Sequence, residues 1–290
     1  MSEKELAPFA VVAARIIADA TAKQEKNVTD YIDPNDGLLH CGVCHTPKQC
    51  RVNLPCLNKD DGTREFIAPC ICQCKKDEIA AEERRIEKLK SRSLMDEKFK
   101  SQTFDTFRTT KENGRVLRLC KRYADGFDEM VEKNQGLLFY GDVGTGKTFS
   151  AACIANALLS RKIPVVMTSF VKLLENAQNF KEDEDKLIYR LNQAKLLIID
   201  DLGAERSTDF ALEKVYNIVD SRYRARLPMI LTTNLELSDM QRASDIRYSR
   251  IYDRIFEVCY PVRFTGSSFR KLEAKKRFDE MKSFLEGDDE

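Results

Sequence analysis

The residues Gly141-Asp142-Val143-Gly144-Thr145-Gly146-Lys147-Thr148 have the types and spacing to hold a triphosphate. They follow the apolar run GLLFY and precede FSAACIANALLS, a strong helix former. Glycines let a backbone curl so that its N–H groups converge on phosphate oxygens, and a helix N-terminus adds partial positive charge. In that setting of strand, loop and helix, Lys147 reaches the β- and γ-phosphates and the Thr148 hydroxyl ligates Mg²⁺. The predicted nucleotide-binding set is Gly141, Asp142, Val143, Gly144, Thr145, Gly146, Lys147, Thr148 and Phe149. The cofactors it predicts are ATP and Mg²⁺.

Two further segments belong to the same chemistry. Lys195-Leu-Leu-Ile-Ile-Asp200-Asp201 reads as a buried strand ending in two carboxylates. Asp200 is placed to hold Mg²⁺ and Asp201 to polarise an attacking water. Met229-Ile-Leu-Thr-Thr-Asn234 is an apolar strand whose terminal amide can orient that water or sense the γ-phosphate. Arg254 and Arg250, on a helical pattern, and Arg270, at the start of the last helix, carry guanidinium groups that fit phosphate geometry and stay charged. An arginine acting on a neighbouring subunit would make hydrolysis depend on assembly.

A second constellation is sulfur. Seven of the ten cysteines lie between Cys41 and Cys74. Cys41-Gly-Val-Cys44 and Cys70-Ile-Cys72-Gln-Cys74 present thiolates on short turns, and four of these five can complete a tetrahedron around Zn²⁺. One of Cys70, Cys72 and Cys74 is surplus. Cys50, Cys56 and His45 lie between the pairs as substitutes. Free thiols, a redox pair and an iron–sulfur ligand set are the competing readings. Cys120, Cys153 and Cys259 stand in apolar or helical contexts and read as buried thiols.

The elements that must position these groups follow from periodicity. Short apolar runs at Leu137–Tyr140, Val165–Thr168, Leu196–Asp200, Met229–Thr233 and Pro261–Phe264 alternate with amphipathic helices. That predicts an α/β fold with a five-stranded parallel sheet covered on both faces. The expected organisation is residues 1–75 as an N-terminal module, 76–100 as a solvated helical linker and 101–290 as the nucleotide-binding domain. The module combines an amphipathic helix (Phe9, Val12, Ile16 and Ala20 on one face) with a cysteine-rich stretch too polar to fold without a metal. The final GDDE reads as a frayed acidic tail. Phe170, Phe180 and Tyr189 follow the second strand, and core packing explains them as well as a nucleic-acid contact does.

Composition excludes several classes. Charged residues make up 33% of the chain yet leave a net charge of +1, so no global field draws it to nucleic acid or membrane. Mean hydropathy is −0.44. No apolar run approaches the length of a membrane span. Glu3 and Glu5 stand where a secretion signal needs positive charge. The expected location is cytoplasmic. Arg222-Tyr-Arg224-Ala-Arg226 forms a basic cluster at a helix end, which makes Arg222 and Arg224 candidates for a single-stranded DNA contact.

GDVGTGKT, LLIIDDLGAE, TTN, RIYDRIFEVC and FTGSSFR, in this order, resemble the DnaC/DnaI-type replicative helicase loaders and the related IstB-type transposition helper ATPases, both AAA+ proteins. The likeness covers about residues 101 to 290. The cysteine pattern resembles the zinc-bearing N-terminal modules of loaders in this group. The resemblance implies that Lys147 and Thr148 are Walker A, Asp200 and Asp201 Walker B, Asn234 sensor I, Arg254 the arginine finger ahead of Arg250, and Arg270 sensor II. Many AAA+ proteins have Glu where Asp201 stands, which implies slow turnover. Thr103–Phe107 resembles the segment that opens the family's fold beside the adenine. The implied activity is slow, partner-stimulated ATP hydrolysis that delivers a hexameric replicative helicase to single-stranded DNA, with self-association in the ATP state. An IstB-like helper acting on DNA and a transposase, and a nucleotide-gated adaptor with negligible hydrolysis, are the alternatives.

Overall fold

The computed structural model describes residues 27–55, 63–110, 112–179, 184–203 and 208–286, together with Ala13, Ile16, Ile17, Ala20, Thr21 and Gln24. The chain divides into two compact units, Met1–Arg84 and Arg85–Glu290. The division falls inside helix α1, Gln73–Arg92.

The first unit is built on hairpins. Strands β1 (Tyr31–Ile32) and β2 (Leu39–His40) pair antiparallel. Strands β3 (Gln49–Pro55) and β4 (Thr63–Pro69) do the same over seven residues each. The cysteine-rich stretch is therefore more ordered than its Pro, Gly and Asn content suggests. Of the predicted amphipathic face, Ile16 is 62% exposed and Ala20 half-buried. Phe9 and Val12 lie outside the described residues, as do Cys56, Phe180 and the GDDE tail.

The second unit is a parallel sheet of β5 (Gly136–Gly141), β6 (Val165–Ser169), β7 (Leu196–Leu202), β8 (Met229–Thr233) and β9 (Cys259–Phe264). Their order is β6-β7-β8-β5-β9, every neighbouring pair parallel. All five expected strands are present. The near-continuous apolar sequence of β5 to β8 follows from burial on both faces, whereas the edge strand β9 leaves Tyr260, Pro261 and Arg263 exposed. Leu138, Leu197, Ile199 and Leu231 enter one core; Leu137, Phe139, Leu196, Ile198 and Ile230 enter the other.

Helix α2 is the short Glu97–Lys100, α3 is Gly114–Asp125 and α4 is Phe127–Glu132. Helix α5, Lys147–Ser160, is apolar almost all round, and ten of its residues are buried between the sheet and α3. Helices α6 (Phe170–Asn179), α7 (Glu184–Asn192) and α8 (Asp209–Arg224) follow. Then come α9 (Leu237–Gln241), α10 (Ile246–Val258) and the C-terminal α11 (Phe269–Glu286). Residues ahead of Ser101 already belong to this unit, because Met95 is buried in its core and Leu89 and Phe99 pack against it. Cys120, Cys153 and Cys259 are buried as expected, and burial pushes the first two thiols up to about 12. Phe170 is a core residue, but Tyr189 is 68% exposed, so core packing does not account for it.

Candidate nucleotide site and cysteine cluster

The carboxyl ends of β5, β8 and β7, three adjacent strands, meet at one point. Open α/β sheets bind ligands at such an edge. The loop from Gly141 to Gly146 leaves β5 there, with positive φ at Gly141, Gly144 and Gly146. A side chain at Gly144 would collide with Ser268 Oγ, 2.1 Å from where its Cβ would stand. That close approach is fixed by a hydrogen bond from Phe269 N–H to the Gly144 carbonyl, 2.9 Å. Gly146 caps α5 and has no side chain to engage its first N–H groups, which leaves them for an anion.

Lys147 is only 6% exposed. Its Nζ donates to the carbonyls of Gly141 and Asp142, both at 2.7 Å, and to Asn234 Oδ1 at 2.8 Å. Burial lowers its pKa, against the opposing pull of Asp201, Asp200 and Asp142. A phosphate would replace these neutral acceptors with a charged one. Thr148 Oγ1 donates to Asp200 Oδ1 at 2.8 Å, so the two predicted Mg²⁺ ligands are in direct contact. Burial raises the pKa of Asp200; the Thr232 and Thr148 hydroxyls and the charge of Arg270 oppose that rise. Arg270, the exposed second residue of α11, is thus within electrostatic reach of both Lys147 and Asp200.

Sequence reasoning missed Thr232. This fully buried residue donates to Asp200 Oδ1 at 2.5 Å and accepts from the Asp201 N–H at 3.0 Å. The β7–β8 register explains why it is needed. Ile199 pairs with Leu231 but Leu202 with Thr233, so β7 carries one extra residue, and Asp201 takes a left-handed φ of 57°. A bulge of this kind re-aims side chains that would otherwise alternate. Thr233 ties down the far side by donating to the Leu202 carbonyl at 2.7 Å. The doublet TT before Asn234 was the available signal. Phe107 meets Phe149 edge-to-face, centroids 5.6 Å apart, which brings the Thr103–Phe107 segment to the base of the phosphate loop.

One arginine assignment changes. Arg222 is 1% exposed and cannot touch DNA. Its guanidinium donates to the carbonyls of Leu191, Ala194, Lys195 and Pro228, closing the strand-entering turns before β7 and β8. It continues the buried stripe of Leu212, Val215 and Val219, a signal that the basic cluster obscured. Arg224 remains exposed and pairs with Asp220. Arg254 has its Nε bound to Asp220 Oδ1 at 2.6 Å.

In the first unit, Cys41, Cys44, Cys72 and Cys74 bring their sulfurs within 4.8 Å of one another. Cys70 is the surplus member: its thiol donates to the Pro47 carbonyl at 3.4 Å and lies beside Cys50. His45 pairs with Tyr31 outside the cluster. The Cys74–Cys41 and Cys74–Cys72 separations are 3.6 and 3.4 Å, against about 3.8 Å for the edge of a ZnS₄ tetrahedron. Thr46, Cys74 N–H and Thr46 N–H donate to Cys44 and lower its thiol to about 5, whereas three neighbouring thiols push Cys74 up to about 12. A divalent cation among them removes that conflict, so the donor set fits zinc. Cys72 and Cys74 flank the first residue of α1, whose N-terminus favours thiolate. Gly42 is required between the first pair, because a Cβ there would stand 2.1 Å from the Thr29 carbonyl oxygen.

Comparison with known proteins matches residues 73–277 to the family described as IstB-like ATP binding protein. Among curated proteins, the phage-like element PBSX protein XkdC of Bacillus subtilis is 26% identical over 197 residues, 64% of this chain and 73% of that protein. The replicative helicase loader DnaI of B. subtilis is 28% identical over 151 residues, 48% of each chain. The loader DnaC of Escherichia coli K12 is 27% identical over 158 residues, 53% of this chain and 62% of DnaC. The chain thus spans about half of DnaI and under two thirds of DnaC. Among solved structures, that of DnaI has a TM-score of 0.52 at 25% identity, covering 61% of this chain and 97% of the other. No described helix is long and apolar enough to cross a membrane.

Proposed function

Because the chain belongs to the family of IstB-like ATP binding proteins, we propose that it is an ATP-dependent loader that binds a hexameric replicative helicase and delivers it to single-stranded DNA. The observation that carries this reading is the combination of a DnaI-like phosphate-binding unit with a separate unit organised around four cysteines. A bare ATPase needs only the first; a loader needs a second surface to grip its cargo.

In this account Lys147 and the loop amides hold the triphosphate. Thr148 and Asp200 hold Mg²⁺, Asp201 activates water, and Asn234 positions it. Arg270 reads the γ-phosphate from within the chain, and Arg254 acts on ATP bound to a second copy. Residues 1–75, with Zn²⁺ on Cys41, Cys44, Cys72 and Cys74, bind the helicase through a module joined to the ATPase by the α1 helix. Hydrolysis is slow, depends on partners and releases the cargo. The family description supports a second reading, a helper ATPase acting on DNA with a transposase.

Co-elution of the full chain with the hexameric replicative helicase of its source organism, with and without ATP, tests the proposal. A complex lost when residues 1–75 are removed is the expected result. No complex in any nucleotide state rejects the loader reading in favour of the transposition helper.

A further inference from the structure

A trans-acting arginine must be held where a neighbour's phosphate can use it, and long side chains do not hold themselves. Helices α8 and α10 supply that support for Arg254. Asp220, 8% exposed, lies one turn before the end of α8. Its Oδ1 accepts Arg254 Nε at 2.6 Å, and its Oδ2 accepts Arg224 Nε at 2.7 Å. The guanidinium carbon of Arg254 also lies 4.9 Å from the Tyr216 ring centroid and 5.8 Å from that of Tyr223. Tyr223 is itself fixed by its hydroxyl, which donates to Glu257 at 2.8 Å.

Three features distinguish this cluster from an ordinary surface ion pair. One carboxylate serves two arginines and so neutralises only one of them directly, the second carboxylate of the cluster, Glu257, being held by the Tyr223 hydroxyl. The carboxylate takes Nε, the nitrogen nearest the stem; of the terminal pair that a phosphate would engage, Nη1 makes only a long bond of 3.4 Å to the Arg250 carbonyl. Arg254 stays 24% exposed and Arg224 74% exposed, so an anion can reach both. Arg270 is the arginine whose charge is felt at this chain's own Lys147 and Asp200.

We propose that Asp220 is a positioning residue, holding Arg254 with Arg224 beside it as a preformed guanidinium pair for the terminal phosphate of ATP bound to a second copy of this chain. The inference rests on the trans role given above to Arg254. Asp220 touches no nucleotide. It limits the orientations of Arg254, whose misplacement by even 1 Å costs on the order of a hundredfold in rate.

The test is subunit mixing with full-length chains, read as ATP turnover per site across a range of protein concentrations. Asp220→Asn should lower kcat at least tenfold with the affinity for a fluorescent ATP analogue unchanged, and Asp220→Glu should recover part of the loss. Mixing Asp220→Asn with Lys147→Ala chains should restore turnover, because the second supplies an intact Arg254 to the first's phosphate loop. Arg254→Ala mixed with Lys147→Ala should do the same. Wild-type kcat for Asp220→Asn alongside a dead Arg254→Ala overturns the positioning role and leaves the trans arginine standing. Loss of turnover that mixing does not restore also overturns it, since Asp220 then supports only its own subunit. The assay is run with single-stranded DNA and the helicase present, and an Arg254→Ala chain as active as wild type, or wild-type turnover independent of the concentration of this chain, defeats the trans reading itself.

Discussion

Thr232→Val replaces a buried hydroxyl with a methyl of the same shape and leaves every contact of the phosphate loop in place. It removes two hydrogen bonds, one to a carboxylate and one that satisfies the Asp201 N–H. A bond to a charged group contributes about 1.5–3 kcal/mol, and an orphaned buried N–H costs about 1–3 kcal/mol. The variant should lose roughly 3 kcal/mol, or on the order of 6–12 °C in Tm for a domain of this size. The functional effect is more diagnostic. Burial already raises the pKa of Asp200, and the Thr232 hydroxyl is the largest opposing influence. Without it the pKa rises further. A carboxyl with a raised pKa loses its charged form as pH falls through that value, so protons compete with Mg²⁺ at higher pH than before. The Mg²⁺ concentration needed for half-maximal turnover should increase severalfold, and more near pH 6 than near pH 8. Thr233→Val is the control: Thr233 is equally buried but bonds the Leu202 carbonyl and not Asp200. Equal Mg²⁺ requirements in the two variants at both pH values would refute the assignment of Thr232 as support for the metal ligand.

Three further outcomes follow from the geometry. Cys74→Ser should abolish zinc binding and collapse the first unit, whereas Cys70→Ser should keep one equivalent by elemental analysis; equal metal content in both would contradict the four-cysteine site. Arg222→Met should leave four carbonyls short of a donor and lower Tm by several degrees in calorimetry without weakening single-stranded DNA binding at low salt; a selective loss of DNA affinity would reinstate the surface role. Gly144→Ala should fold yet bind ATP at least tenfold more weakly, because its Cβ meets Ser268 and the φ of 83° is strained for alanine; unchanged affinity by fluorescence titration would show that the loop does not need this approach.

The sheet was readable because a doubly covered parallel strand needs an apolar run and little else. The runs at Leu137, Val165, Leu196, Met229 and Pro261 each became a strand. The phosphate loop was readable because its geometry is local. What stayed hidden depended on pairing between distant segments. Thr232 matters only because β7 bulges by one residue against β8, which no stretch of either strand announces. Arg222 looked like a surface charge because a helix end reads the same whichever way the side chain turns. The choice of Cys72 over Cys70 depends on where α1 begins, and the β3–β4 hairpin was masked by turn-forming residues. Arg254 was singled out by motif, but the carboxylate that holds it comes from another helix.

The central claim is that ATP is used to place a hexameric helicase on DNA. The direct measurement is transfer of the helicase onto a closed single-stranded DNA circle, by pull-down of the circle, with this chain and ATP present. The account predicts transfer with wild-type chain, none with Lys147→Ala, and none without residues 1–75. Helicase recovered equally on the circle with and without the chain, or with the Lys147→Ala variant, would contradict it.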